Sequence, residues 1–203
     1  MSMTQELYSI GLIPVIKIEN PDDAVPLAKA LIDGGLPAAE ITFRTACAAE
    51  AIKNITEAYP DMLVGAGTVL TCEQVDAAIA AGSKFLVSPG LNPKVTAYAL
   101  SKGIPMLPGC SNPSDIEAAL ELGLKTVKFF PAEAAGGLKM LKAMEANWCD
   151  WTDEQDAILM MGTGRYELPE YKGKADLHIP IIYGDYFFTE AILKLRGSEF
   201  LPW

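Results

Sequence analysis

Lys128 lies in the run Thr126-Val127-Lys128-Phe129-Phe130-Pro131, an apolar stretch of one strand's length closed by a proline. Burying an ammonium ion among such neighbours is costly. Burial favours the uncharged amine, a nucleophile able to form a Schiff base with a ketone. A second charge, Glu40, sits in the equally apolar Ala39-Glu40-Ile41-Thr42-Phe43. An amine nucleophile beside an acid/base group is what imine chemistry requires, because protons must move as carbinolamine, imine and enamine form in turn. The plainer readings are a lysine at a strand edge with its head in solvent, or a buried ion pair. The latter is a weak structural device, since desolvation consumes most of its Coulombic gain. Arg44, just past the second strand, is either a solvated surface residue or a grip for a carboxylate or phosphate through two parallel hydrogen bonds. Thr68 closes Gly65-Ala66-Gly67-Thr68 and suits substrate contact or a turn-and-cap role equally well. Ser88-Pro89 and Glu133 complete the polar positions near strand exits.

The elements that must position these residues repeat one unit. A helical pattern ends at glycine, a short apolar strand follows, and the strand stops at proline or glycine. Gly82, Gly103 and Gly123 recur at near-equal spacing, and Gly34-Gly35 has the same form. Glycine just past a helix is the expected left-handed stop. Asn20-Pro21 and Asn92-Pro93 each place a capping residue before proline at a first helical position. At Asn112-Pro113, Ser114 followed by Glu117 has the capping-box pattern, as does Thr71 followed by Gln74. Pro26 interrupts the helical segment at 27–32 and either kinks it or delays its start. Six βα units follow, with strands near 11–18, 39–43, 63–68, 85–89, 104–108 and 126–130. Apolar strands alternating with amphipathic helices imply a parallel sheet covered by helices. The short, even repeat favours an α/β, TIM-type barrel over an open doubly wound sheet, and no GxGxxG loop follows a strand to support the latter. In such a barrel the active site forms at the C-terminal ends of the strands, where Glu40, Arg44, Thr68, Pro89 and Lys128 fall.

From about residue 143 the regularity breaks, which divides the chain into residues 1–142 and an atypical segment, 143–203. Residues 157–161 and 179–183 are candidate seventh and eighth strands, and 187–195 reads as a last helix. Between the two strands, 165–178 holds Pro169 and Gly173 and makes a poor crossover helix.

Composition bounds the function. The 203 residues carry a formal net charge of −10, which argues against nucleic acid or an anionic membrane surface as a main partner. A small anionic substrate remains compatible, because a local pocket can be positive on an acidic protein. The four cysteines show no CxxC pairing and there is one histidine, so a zinc site of the usual spacing is not expected. No apolar run reaches the ~18–20 residues of a membrane span, and no signal segment opens the chain. A cytoplasmic protein with free thiols is the default expectation.

The stretches Ile13-Pro14-Val15-Ile16, Glu40-Ile41-Thr42-Phe43-Arg44-Thr45, Val64-Gly65-Ala66-Gly67-Thr68-Val69, Ser88-Pro89-Gly90-Leu91, Leu107-Pro108-Gly109 and Val127-Lys128-Phe129-Phe130-Pro131-Ala132-Glu133 resemble, in order and spacing, the bacterial 2-keto-3-deoxy-6-phosphogluconate and 4-hydroxy-2-oxoglutarate aldolase family. The resemblance spans about residues 6–142. It implies a class I aldolase on a TIM barrel, without metal or other cofactor, that releases pyruvate from a 2-keto-4-hydroxy acid and assembles as a homo-oligomer, a trimer. Lys128 matches the Schiff-base lysine and Glu40 the acid/base glutamate. Arg44, Thr68 and Pro89 match positions around the pyruvate portion.

The same family ends its seventh and eighth strands in loops that bind the substrate phosphate. The nearest equivalents are Gly162-Thr163-Gly164-Arg165 and Gly184-Asp185, so Thr163, Gly164 and Gly184 are the candidate phosphate ligands. Arg165 stands where a glycine backbone should approach the phosphate, and Asp185 adds a negative charge there; both oppose phosphate binding. The tail, with Met161-Gly162-Thr163-Gly164 and Ile181-Ile182-Tyr183-Gly184-Asp185-Tyr186-Phe187-Phe188, is similar to the C-terminal end of unsaturated glucuronyl hydrolases. Two alternatives to the active aldolase follow. One is a hybrid chain that folds or oligomerises without turnover, with exposed sheet edges. The other is a phosphate-binding barrel isomerase, which would need a phosphate cradle at 162–165.

Overall fold

The computed structural model describes residues 3–148. The expected strands and helix beyond them, the candidate phosphate ligands Thr163, Gly164 and Gly184, and the hydrolase-like tail lie outside the described residues.

Six parallel strands pair in chain order: β1 (Val15–Ile16), β2 (Ala38–Thr42), β3 (Leu63–Gly67), β4 (Phe85–Ser88), β5 (Met106–Cys110) and β6 (Lys128–Phe129). Helix α1 (Met3–Ile10) precedes β1. Helices α2 (Ala24–Asp33), α3 (Ala48–Ala58), α4 (Cys72–Ala80), α5 (Pro93–Ser101) and α6 (Pro113–Glu121) form the successive crossovers, and α7 (Gly137–Trp148) follows β6. Among the described residues no helix is long and apolar enough to cross a membrane.

Strands β1, β3, β4 and β6 are shorter than the apolar runs that announce them. The first pairs over Val15 and Ile16 alone and the sixth over Lys128 and Phe129, while the fifth is displaced towards its exit. The glycine stops stand as expected, with Gly35, Gly82, Gly103 and Gly123 all at positive φ. The Thr71–Gln74 capping box is present in full. Two helix starts differ. Asn20 caps a 3-10 turn over Pro21–Asp23 rather than an α-helix, so α2 begins at Ala24. Pro26 then falls in the first turn, where no backbone N–H is required. At α6 the cap is Asn112, whose side chain accepts from Asp115 N, rather than Ser114. The proline at the first helical position puts the cap one residue before it, so Ser114 is already inside the helix.

Strand alternation sorts the core into two layers. Ala38, Leu63, Phe85, Val87 and Leu107 point inward and cluster with Ile13 and with Leu7 of α1. Ala39, Ile41, Val64, Ala66, Leu86 and Met106 point outward beneath the helices. Val127 and Phe129 face outward as well, against Ile116 and Ala119 of α6. Strands β2 to β6 are therefore buried on both faces, which explains their near-continuous apolar composition, while β1 is half-buried.

The sheet is curled. Strands β2 and β6 are four places apart, and neighbouring strands lie ~4.8 Å apart, so in a flat sheet they would be separated by about 19 Å. The inward side chains of Glu40 on β2 and Lys128 on β6 nevertheless meet at 4.0 Å. Only a sheet bent around a common interior brings them together.

Candidate active site

Glu40 and Lys128 are 2% and 6% exposed, in an interior lined mostly by aliphatic and aromatic side chains, with Thr42 on the same face of β2 as Glu40. Glu40 Oε1 lies 4.0 Å from Lys128 Nζ. The ammonium also stands 5.0 Å from the centroid of the Phe130 ring, within cation–π range. Phe130 is itself exposed at the exit of β6, so the amine sits between a buried carboxylate and an aromatic face at the mouth of the curl.

Glycines make room for this pair. Glu40 pairs in register with Gly65, and Thr42 with Gly67. Gly65 and Gly67, two residues apart on β3, face the same side as Glu40. A Cβ at Gly65 would fall 2.3 Å from the Phe85 ring, so that ring lies against the strand beside Glu40. A Cβ at Gly67 would fall 2.1 Å from Glu40 Oε1. On β5, Gly109 is the register partner of Lys128, and a Cβ there would lie 2.1 Å from the backbone carbonyl oxygen of Pro89. The loop leaving β4 therefore crosses the inner face of β5 directly beside the lysine.

The exit loops are tied down by hydrogen bonds. Thr45 Oγ1 donates to the carbonyl of Ile18 at 2.8 Å and Cys47 Sγ to the same oxygen at 3.2 Å, which fixes the loop carrying Arg44 against the end of β1. Phe43 N donates to Gly67 O at 2.8 Å and Val69 N to Val87 O at 3.1 Å, on either side of Thr68. Ser88 Oγ donates to Gly90 O at 2.8 Å, turning the chain at Pro89.

Of the residues expected to act, Glu40 and Lys128 are brought together. Arg44 and Pro89 are exposed and Thr68 half-buried, each at a strand exit, with Pro89 beside the register partner of Lys128. Sequence reasoning passed over three participants: Phe130, Gly67 and Gly109. For Gly67 a signal existed, since Gly65 and Gly67 share one strand face and paired glycines on one face mark a close approach.

The family model described as aldolase, KDPG and KHG aldolase, matches residues 3–169. This match reaches well past residue 142, where the repeat loses its regularity. A 2-dehydro-3-deoxy-phosphogluconate aldolase of Treponema pallidum (strain Nichols) is 51% identical over 144 residues, covering 71% of this chain and 69% of the relative. Another, of Dickeya dadantii (strain 3937), is 37% identical over 201 residues, covering 99% of this chain and 85% of the relative. Among solved structures, the KDPG aldolase from Legionella pneumophila, with pyruvate captured at low pH as a covalent carbinolamine intermediate, is similar with a TM-score of 0.76 at 33% identity; the match covers 97% of this chain and 93% of that one.

Proposed function

The chain belongs to the KDPG and KHG aldolase family, and from that premise we propose that it cleaves a 2-keto-4-hydroxy acid through a Schiff base on Lys128. The observation that carries this reading is the 4.0 Å approach of two buried, opposite charges from strands four places apart. A buried ion pair adds little to stability, so its retention calls for chemistry.

The reaction runs as follows. Transfer of a proton from the Lys128 ammonium to Glu40 frees the amine, which attacks the C2 carbonyl to give a carbinolamine, and loss of water gives the imine. The protonated imine withdraws electrons from the C3–C4 bond as a base takes the proton of the 4-hydroxyl. That bond breaks, an aldehyde leaves, and the electron pair remains on C3 as the enamine. Protonation of C3 and hydrolysis release pyruvate and the free lysine. Glu40 is the acid/base that relays these protons. Arg44, at the mouth, holds the carboxylate, and Thr68 and Pro89 border the pyruvate portion.

The names of the relatives suggest a 2-keto-3-deoxy-6-phospho sugar acid or 4-hydroxy-2-oxoglutarate as substrate. For a phosphorylated substrate, Thr163, Gly164 and Gly184 are the proposed phosphate ligands. We further propose that residues 157–161 and 179–183 supply strands seven and eight of a full barrel, supported for the former by a family match that runs to residue 169. A homotrimer in the cytoplasm is the proposed assembly and location. A hybrid chain without turnover gains no support from a site in which nucleophile and carboxylate already face each other.

Pyruvate plus borohydride is expected to add the mass of a reduced pyruvyl group to Lys128, and Lys128→Ala to abolish it. No gain in mass, or a gain that survives Lys128→Ala, would refute the Schiff-base reading.

A further inference from the structure

We propose that Gly67 is a positioning residue whose missing side chain is the seat of the Glu40 carboxylate; this deepens the Schiff-base reading and rests on it. Glu40 and Gly65 are register partners on β2 and β3. Gly67 is two residues nearer the mouth on the same face, so the Glu40 side chain runs diagonally across the sheet towards the strand exits. Such a diagonal neighbour is within reach of a long side chain. A Cβ on Gly67 would meet Oε1 at 2.1 Å, and Cδ and Cγ each at 2.8 Å. All three of those atoms belong to Glu40. The oxygen closest to the absent methyl is the same Oε1 that lies 4.0 Å from Lys128 Nζ.

A methyl at position 67 must therefore push the carboxylate, and it pushes first at the atom that faces the amine. Glu40 is 2% exposed, so the carboxylate can swing only within a packed interior. The displaced group is the end of a side chain rather than backbone, so the fold survives while the acid/base group loses its place. Gly65 serves as an internal contrast, because its space is taken by the Phe85 ring and not by a reacting group.

The test separates proton transfer from imine formation. Gly67→Ala is expected to remain folded and still to be labelled on Lys128 by pyruvate and borohydride, though more slowly than the parent. Exchange of the pyruvate methyl protons with deuterium oxide, followed by proton NMR, is expected to fall at least about 100-fold, the scale of a lost general acid/base. Adding Glu40→Asp, whose shorter arm clears the methyl, is expected to restore part of that exchange above the Gly67→Ala level. Exchange within threefold of the parent, with an unchanged pH profile, would overturn the proposal.

Should Gly67→Ala fail to fold, the pair Glu40→Ala and Glu40→Ala/Gly67→Ala decides. Equal melting temperatures for that pair would assign the clash to the carboxylate, and a double variant that also fails to fold would overturn it. The underlying reading fails separately, if the parent chain takes no label or if Glu40→Gln exchanges protons like the parent.

Discussion

Thr68 has φ +56°, the one positive φ at a residue other than glycine among the described residues. For a β-branched side chain this conformation costs on the order of 1–3 kcal/mol and persists only where neighbours impose it. The neighbours are the ladder bonds at Phe43 and Val69 and the bond from Leu70 N to Gln74 Oε1 at 2.7 Å, which together clamp the peptide units around Thr68. Folding alone would choose glycine here, which supports the proposed part of the Thr68 hydroxyl in substrate contact. Thr68→Gly relieves the native strain but loosens the unfolded chain by about 0.4–1 kcal/mol. It is expected to melt at or above the parent temperature while KM for the keto acid rises about tenfold, checked by thermal unfolding and steady-state kinetics. A lower melting temperature with unchanged kinetics would make Thr68 a structural residue. Lys128 and Glu40 were legible because charge in an apolar strand is an exception that demands a reason. The Gly65 and Gly67 pair marked a close approach, but what fills that space, and the whole part played by Gly109, were not legible, because Glu40 and Pro89 are distant in sequence.

At the scale of elements, punctuation was the readable signal. The glycine stops after α2, α4, α5 and α6 and the Thr71 cap rest on local backbone rules, so each could be placed from a few residues. Strand ends depend instead on how far a neighbour continues to pair, which is why β1 and β6 shrank to two residues each. Strand β5 carries an outward residue with a measurable consequence. Cys110 is buried against α6, and burial, aided by the charge of Asp115, pushes its thiol up from 9.0 to about 12. The folded state thus holds this proton where the unfolded chain loses it. The contribution to stability is complete below the unfolded value and is lost as pH rises from 9.0 towards about 12, at about 1.4 kcal/mol per pH unit. Cys110→Ala, already weakened by a small cavity at neutral pH, is expected to lose less than the parent over that range, so that the gap between the two narrows with pH. Urea unfolding of both chains at neutral and alkaline pH reads this directly, and parallel declines would show that the thiol ionises equally in both states.

For the whole molecule, the even repeat and the absence of a dinucleotide loop pointed to a curled parallel sheet, and the meeting of Glu40 with Lys128 is its signature. What the repeat could not carry was the segment 143–203. There the glycine and proline spacing breaks down, and Pro169 and Gly173 interrupt the only segment long enough for a crossover helix. Lys128, the proposed nucleophile, makes that segment matter. Among the described residues β6 pairs with β5 alone, over two residues, so the strand bearing Lys128 is a sheet edge unless something beyond Trp148 covers it. An uncovered parallel edge exposes apolar side chains and unpaired backbone groups, and such edges associate with one another. A chain ending at Trp148 is accordingly expected to self-associate in sedimentation velocity and to lose at least about tenfold in its rate of borohydride-trapped labelling by pyruvate. A discrete species that labels at the parent rate would mean that β1–β6 suffice to hold the reactive lysine. Residues 149–203 would then serve something other than the chemistry at Lys128.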